Sequence, residues 1–250
     1  MSLHVEREGQ GPDLALLHGW GLHGGAWNGA RERLARRFTL HVVDLPGHGR
    51  SAHVPVDSFE AAVARVAAVV PREAFLCGWS LGGLFAQRLA AMQPIAGLAL
   101  VAATPCFTTR GDWPHAMKPA TLAAFARGLH EDRERTLRDF VHLNALHGIH
   151  EREAVRALAR ELAARPAPLA ALEASLAWLR DVDLRPLVPS LDVPAIVLHG
   201  ARDALAPIEA GRWLAAHLPR SRLVEIDDAA HLPFFTHRDA FVAALESLVA

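Results

Sequence analysis

Two kinds of hydrophobic pattern alternate along this 250-residue chain. Short, nearly continuous apolar runs are bounded by Gly, Pro or Asp: Leu14–Leu17, Leu40–Val43, Ala74–Cys77, Gly97–Ala102, Ala195–Leu198 and Arg222–Ile226. Each has strand length, and near-continuous apolarity predicts strands covered on both faces, as in a parallel sheet. Between them lie helical stretches at Trp27–Arg37, Phe59–Val70, Leu81–Met92, Ile208–His217 and Asp239–Val249. Alternating strand and helix predicts a three-layer α/β domain, with helices on both faces of a mostly parallel sheet. One region departs from this. From Pro105 to Asp183 no strand pattern appears, and Thr121–His130, Arg133–Leu146, Glu151–Ala164 and Leu169–Arg180 all read as helices, punctuated by Pro119, Gly148, Pro166 and Pro168. The expectation is a helical lid, 105–183, inserted into a core made of 1–104 and 184–250. Placed after the fourth predicted strand, it would sit above the carboxyl ends of the strands, where open α/β sheets bind ligands.

Composition narrows the function classes. Hydrophobic residues at 51% suit one large core. A formal net charge of −1 gives no overall attraction to nucleic acid or membrane, so any electrostatic partner site must be local. Two cysteines, Cys77 and Cys106, make no disulfide framework, and Cys77 in its apolar run is expected to be an inert buried thiol. The opening MSLHVEREGQGPD carries acids and no apolar segment, and no uncharged run reaches membrane-span length. A soluble, cytoplasmic monomer is therefore expected. The 15 histidines are scattered without HExxH or paired-Cys spacing, so no metal site is expected.

The chemistry centres on Gly78-Trp79-Ser80-Leu81-Gly82, which follows the third apolar run and opens a helical stretch. G-x-S-x-G in that setting is the pattern of a nucleophile elbow, a tight strand-to-helix turn that lifts the serine hydroxyl off the sheet. Side chains at Gly78 or Gly82 would crowd such a turn. The N–H of Leu81 would then open a helix and face an oxyanion. Alone, the pentapeptide also reads as a Gly-rich helix cap, so its partners decide. A nucleophilic serine needs a base, and the base needs an orienting acid, in the order Ser, Asp/Glu, His for this turn. Asp203 falls just past the fifth run and His231 just past the sixth. Either alone is an ordinary turn aspartate or helix-edge histidine; three residues in order, each past a different strand, argue together for a triad Ser80–Asp203–His231. Asp227 stands as an alternative acid, Asp44 suits a loop role, and Cys77 should point into the core. The second oxyanion donor is expected to be the N–H of Trp20 in His18-Gly19-Trp20-Gly21. Its indole reads as either a core aromatic or a pocket wall.

In the insertion, Arg152, Arg156 and Arg160 recur every four residues, and Arg135 and Arg138 share a face of the preceding helix. A basic cap on a near-neutral protein would draw an acidic partner. Glu131, Asp132, Glu134, Glu153 and Glu161 lie close by, and from the residues alone a solvated face of mixed charge is the preferred reading. Phe107, Trp113, Phe125 and Leu143 either line an acyl channel or pack the cap, and periodicity does not separate the two.

Five segments in order, LLHGWGLHGGAWN, VVDLPGHGRS, GWSLGG, HGARDALAP and DDAAHLPF, resemble the α/β-hydrolase family over nearly the whole chain. Within it, HGWG, GWSLGG, PCFTTRGDWPHAMKP, DVDLR and FVHLN are similar to the biotin-synthesis carboxylesterases that demethylate pimeloyl-acyl-carrier-protein methyl ester. That resemblance implies the α/β-hydrolase fold with an inserted helical lid, and catalysis by Ser80, Asp203 and His231 without a cofactor. It implies oxyanion and substrate contacts at Trp20 and Leu81, and a substrate-contacting lid segment of Phe140, Val141, His142, Leu143 and Asn144. It also implies docking of an acidic acyl-carrier protein on Arg135, Arg138, Arg152 and Arg156. One basic family position falls on Asp139 here, beside Arg138, so shifted docking contacts are expected. Rivals that share the pattern are a general short-chain esterase, a carbon–carbon bond hydrolase or cofactor-free haloperoxidase, and a non-catalytic binding protein of the same fold.

Overall fold

The computed structural model describes residues 2–249. Its strands are β1 (Val5–Gly9), β2 (Asp13–Leu17), β3 (Thr39–Val43), β4 (Phe75–Trp79), β5 (Gly97–Val101), β6 (Ala195–Gly200) and β7 (Ser221–Ile226). The helices are α1 (Asn28–Leu34), α2 (Phe59–Ala67), α3 (Leu81–Ala90), α4 (Pro119–Glu131), α5 (Arg133–Ala145), α6 (Glu151–Ala164), α7 (Leu169–Asp181), α8 (Ile208–His217), α9 (Pro233–Thr236) and α10 (Arg238–Glu246). One sheet of seven strands runs in the order β1-β3-β2-β4-β5-β6-β7. β1 pairs antiparallel with β3, and every other neighbouring pair is parallel.

The apolar runs explain the centre of this sheet. Every residue of β3, β4, β5 and β6 is buried, which requires cover on both faces. α1 packs on α10, α2 on α3, and α8 on β6 and β7. The strand absent from the sequence pattern is β1. Its residues Val-Glu-Arg-Glu-Gly hold no apolar run, and none of them is fully buried at this edge of the sheet. Side-chain ion pairs secure it instead: Glu6 accepts from Arg31 at 2.6 Å and from Arg50 at 2.8 Å. Several helices are shorter than the sequence predicts. The stretch from Trp27 is a 3-10 turn, Gly24–Trp27, followed by α1, which stops at Leu34 so that the chain can turn into β3.

Parallel strands bring their carboxyl ends to one edge of the sheet. The segments after β2, β4, β6 and β7 therefore converge, and they carry Trp20, Ser80, Asp203 and His231. Helices α4 to α7 lie between β5 and β6 in the chain. α4 packs on α5 and α7, and α5 packs on α6. Residues 105–183 contain no strand, only isolated bridges at Thr108–Met117 and Arg110–Trp113. α5 starts where Asp132 accepts the Arg135 N–H, and α6 buries Ala154 and Leu158 while exposing Arg152, Arg156 and Arg160. Among the described residues, no helix is long and apolar enough to cross a membrane.

Candidate active site

Ser80 links the end of β4 to the start of α3 with φ 53° and ψ −117°, a conformation that costs a residue with a β-carbon on the order of 1–3 kcal/mol. The surroundings over-determine it. Its N–H donates to Val101 O at 3.0 Å, and its own carbonyl accepts the Gly83 N–H at 2.8 Å. A Cβ at Gly78 would lie 2.3 Å from Gly82 O, and one at Gly82 would lie 2.2 Å from Leu17 O. Both glycines are thus required by close backbone approach, as the turn chemistry predicts.

His231 follows β7, and its Nδ1 sits 2.6 Å from Asp203 Oδ2. Asp203 divides its two oxygens. Oδ1 accepts the N–H groups of Leu205 and Ala206, each at 2.8 Å, which leaves Oδ2 for the imidazole. An ionised carboxylate only accepts, so the proton belongs on Nδ1 and the lone pair on Nε2. That Nε2 is buried with no hydrogen-bond partner, and no hydrogen bond joins it to Ser80 Oγ. Catalytic hydrogen bonds often tighten only once substrate is bound. The alternative acid Asp227 is exposed, and Asp228 is bonded to His237 at 2.9 Å; neither bonds to His231.

The main chain of His231 is held from both sides. Its N–H donates to Asn144 O of α5 at 3.1 Å, and its carbonyl accepts the Trp79 indole N–H at 2.9 Å. Trp79 is wholly buried, with its ring edge-on to Phe234. These supports, and the Leu172 carbonyl that accepts the Trp20 indole N–H at 3.0 Å, were not foreseen from the sequence. A tryptophan or a main-chain carbonyl in a helix advertises no such role in one dimension.

The main-chain N–H groups of Trp20 and Leu81 donate to no acceptor among the described residues. The Leu81 N–H opens α3, whose N-terminal end carries partial positive charge. The Trp20 indole walls a cavity beside Ser80. Phe107, Met117, Leu122, Phe125, Phe140, Leu176, Leu179 and Leu205 complete the lining, which contains no charged group. Its free space is about 20 Å³, room for roughly one water and far below the roughly 300–1,000 Å³ of ligand pockets. Side chains of the inserted helices must therefore move before an ester can enter. A larger groove of about 420 Å³ runs between α4 and α5 on the outside, and Phe125 borders both spaces.

Of the lid segment expected at substrate, only Phe140 lines the cavity, edge-on to Trp20 at 4.8 Å between ring centres. Val141 and Asn144 are buried elsewhere, Leu143 borders the outer groove, and His142 is exposed. Leu81, also expected at substrate, does not line the cavity, and its side chain is fully buried. Phe107 and Phe125 line the cavity, whereas Trp113 packs with Cys106, Ala210 and Trp213 away from it. Arg135, Arg138, Arg152 and Arg156 are all exposed. Arg138 pairs with Glu134 at 2.5 Å and Arg135 with Asp139 at 3.8 Å. Arg152 and Arg156, and Arg160 beyond them, have no carboxylate within salt-bridge distance among the described residues.

Neighbouring groups serve structure. Burial raises the pKa of the Cys77 thiol, which keeps it unreactive. Burial also pushes up the pKa of the Asp44 carboxyl, but His18 and the N–H groups of Gly24 and Arg50 outweigh it, and the net value is lowered. Asp44 thereby ties two loops, at 2.6 Å to Gly24 N and 2.7 Å to Arg50 N. Among the described residues no group of three or more His, Cys, Asp or Glu is arranged to hold a metal ion.

The sequence pattern of the alpha/beta hydrolase family matches residues 14–244. The chain is 45% identical to the pimeloyl-[acyl-carrier protein] methyl ester esterase of Chromobacterium violaceum, over 98% of this chain and 97% of that one. It is 41% identical to the protein of the same description from Nitrosomonas europaea, over 99% of each. Among solved structures, an esterase from Exiguobacterium antarcticum superposes with a TM-score of 0.91, covering 99% of this chain and 96% of that one at 24% identity; this likeness speaks for the fold alone.

Proposed function

The chain belongs to the alpha/beta hydrolase family, and from that premise we propose that it is a serine carboxylesterase acting on the methyl ester of pimeloyl-acyl-carrier protein, releasing methanol and the free acid. One observation carries the chemistry: a serine on a strained elbow shares its site with an imidazole whose Nδ1 is bound to Asp203 and whose Nε2 lone pair is buried and unpaired. Relatives of that description, matched end to end at 41–45% identity, support the substrate.

In this reading His231 Nε2 takes the Ser80 proton as Oγ attacks the ester carbonyl. Asp203 fixes the tautomer and stabilises the imidazolium. The N–H groups of Trp20 and Leu81 hold the oxyanion. His231 then protonates the departing methoxide, and water, activated by the same imidazole, releases the acid from the acyl-enzyme. Every step uses side chains and main-chain N–H groups, so the reading calls for no cofactor. The apolar lining favours a neutral ester and disfavours the carboxylate product, since a buried unpaired anion is costly. Product release is thereby promoted. Residues 105–183 act as the lid, and the unpaired Arg152 and Arg156, with Arg135 and Arg138, offer the acidic carrier its docking face. We take the working form to be a cytoplasmic monomer.

The discriminating experiment compares kcat/KM for the carrier-borne methyl ester with that for the dimethyl ester of the same diacid. A preference of about tenfold or more, ~1.4 kcal/mol, is expected. Equal values would leave a general short-chain esterase.

A further inference from the structure

The mechanism leaves one buried titratable group beside the triad unused. His199 lies on β6, wholly enclosed, four residues before Asp203. Its Nε2 donates to Ala206 O at 2.7 Å and lies 3.6 Å from Asp203 Oδ2, while its Nδ1 is buried with no partner. An imidazole with one nitrogen unpaired is a costly occupant for a fully buried strand, where an aliphatic residue would suit. The fold even makes room for it: a Cβ at Gly211 of α8 would stand 2.7 Å from His199 Nδ1.

Ala206 explains the arrangement. Its N–H donates to Asp203 Oδ1, and its carbonyl receives the His199 Nε2–H. One residue thus bridges the imidazole and the carboxylate. The turn from Asp203 to Ala206 can present Oδ2 to His231 only if Oδ1 stays on its two N–H donors. That requires Ala206 to stay where His199 holds it. We propose that His199 is a positioning residue for the triad acid: by clamping the Ala206 carbonyl it fixes the turn that aims Asp203 at His231. It touches neither substrate nor the reacting atoms. Burial lowers its pKa and keeps the ring neutral. No second cation then competes with His231 for Asp203.

This inference rests on the triad reading, and its test separates the two. Four full-length variants are compared with wild type on p-nitrophenyl butyrate: His199→Phe, His199→Gln, His199→Asn and Asp203→Asn. A glutamine amide reaches the place of Nε2, whereas an asparagine amide reaches that of Nδ1. A clamp at Nε2 is expected to give His199→Phe and His199→Asn a kcat lower by about tenfold or more with KM held within about twofold, and His199→Gln a kcat within about threefold of wild type. The far-downfield proton of the His231–Asp203 hydrogen bond should persist in His199→Gln and broaden or vanish in His199→Asn. Should His199→Phe not accumulate as folded protein, the Gln–Asn contrast carries the test, since both are small polar amides. Near-wild-type kcat in His199→Asn, or equal loss in the Gln and Asn variants, overturns the clamp while leaving the triad intact. Near-wild-type turnover in Asp203→Asn overturns the triad and the clamp with it.

Discussion

Replacing Asp203 by Asn changes one atom, and the structure says which way the new amide would turn. The Oδ1 position is enclosed by the N–H groups of Leu205 and Ala206, each at 2.8 Å, and only an acceptor fits there. The amide oxygen must therefore take that place, and the NH2 is forced to face His231 Nδ1, where Oδ2 now stands at 2.6 Å. Two donors cannot share one hydrogen bond, so the imidazole shifts its proton to Nε2. The nitrogen that should receive the Ser80 proton is then already protonated. The loss expected in kcat is about 10⁴-fold, or ~5.5 kcal/mol of transition-state stabilisation, with KM for a small ester little changed. Because volume and both backbone hydrogen bonds are kept, the melting temperature should stay within a few degrees of wild type. Stopped-flow release of p-nitrophenolate, with calorimetry on the same samples, measures both. A loss under tenfold in a folded variant would mean that Asp203 does not set the tautomer of His231, and the site would need another acid.

Further expectations follow from other contacts. Gly82→Ala drives a Cβ to 2.2 Å from Leu17 O, so a fall in melting temperature of about 5 °C or more, or no folded protein, is expected; an unaltered melting curve would contradict the elbow geometry. Reversing the unpaired charges in Arg152→Glu/Arg156→Glu should raise KM for the carrier-borne ester by about tenfold at low salt and leave small-ester hydrolysis unchanged; unchanged carrier kinetics would return these arginines to a solvated face. Stability should fall in mild acid. Burial lowers the pKa of His18 to about 3, with His48 adding to the effect, and lowers those of His48 and His199 as well. Below the unfolded value of about 6.5 the unfolded chain binds protons that these rings refuse. Stability present above that pH is then lost as pH drops toward the folded values, by up to ~1.4 kcal/mol per pH unit for His18, with His48 and His199 acting in the same direction. A melting temperature that stays flat between neutral pH and pH 5 would refute this.

What was legible in one dimension was whatever burial stamps on composition. The central strands are apolar because both faces are covered, and the proposed triad residues were visible because each follows a predicted strand, Ser80 after β4, Asp203 after β6 and His231 after the edge strand β7. β1 was not, since Val5 is its one apolar residue and it takes its hold from Glu6 and two arginines, whereas the other edge strand, β7, still carries Leu223, Val224 and Ile226. The lid segment shows a different limit. Phe140 to Asn144 forms part of α5, so its side chains spread around the helix: Phe140 turns to the cavity and His142 to solvent. Helical periodicity alone would have warned that five consecutive residues cannot all face one ligand. The long-range supports were beyond any local pattern. Trp79 with the His231 carbonyl, and Trp20 with the Leu172 carbonyl, each join residues 152 positions apart.

The most direct test is intact-mass spectrometry of the carrier itself. Pimeloyl-acyl-carrier-protein methyl ester is incubated with the protein and, separately, with Ser80→Ala. The account requires the carrier to lose one methylene mass with wild type only, together with release of methanol. An unchanged carrier mass, in a preparation that still hydrolyses a small ester, would leave Ser80 as a nucleophile and contradict the carrier-borne substrate.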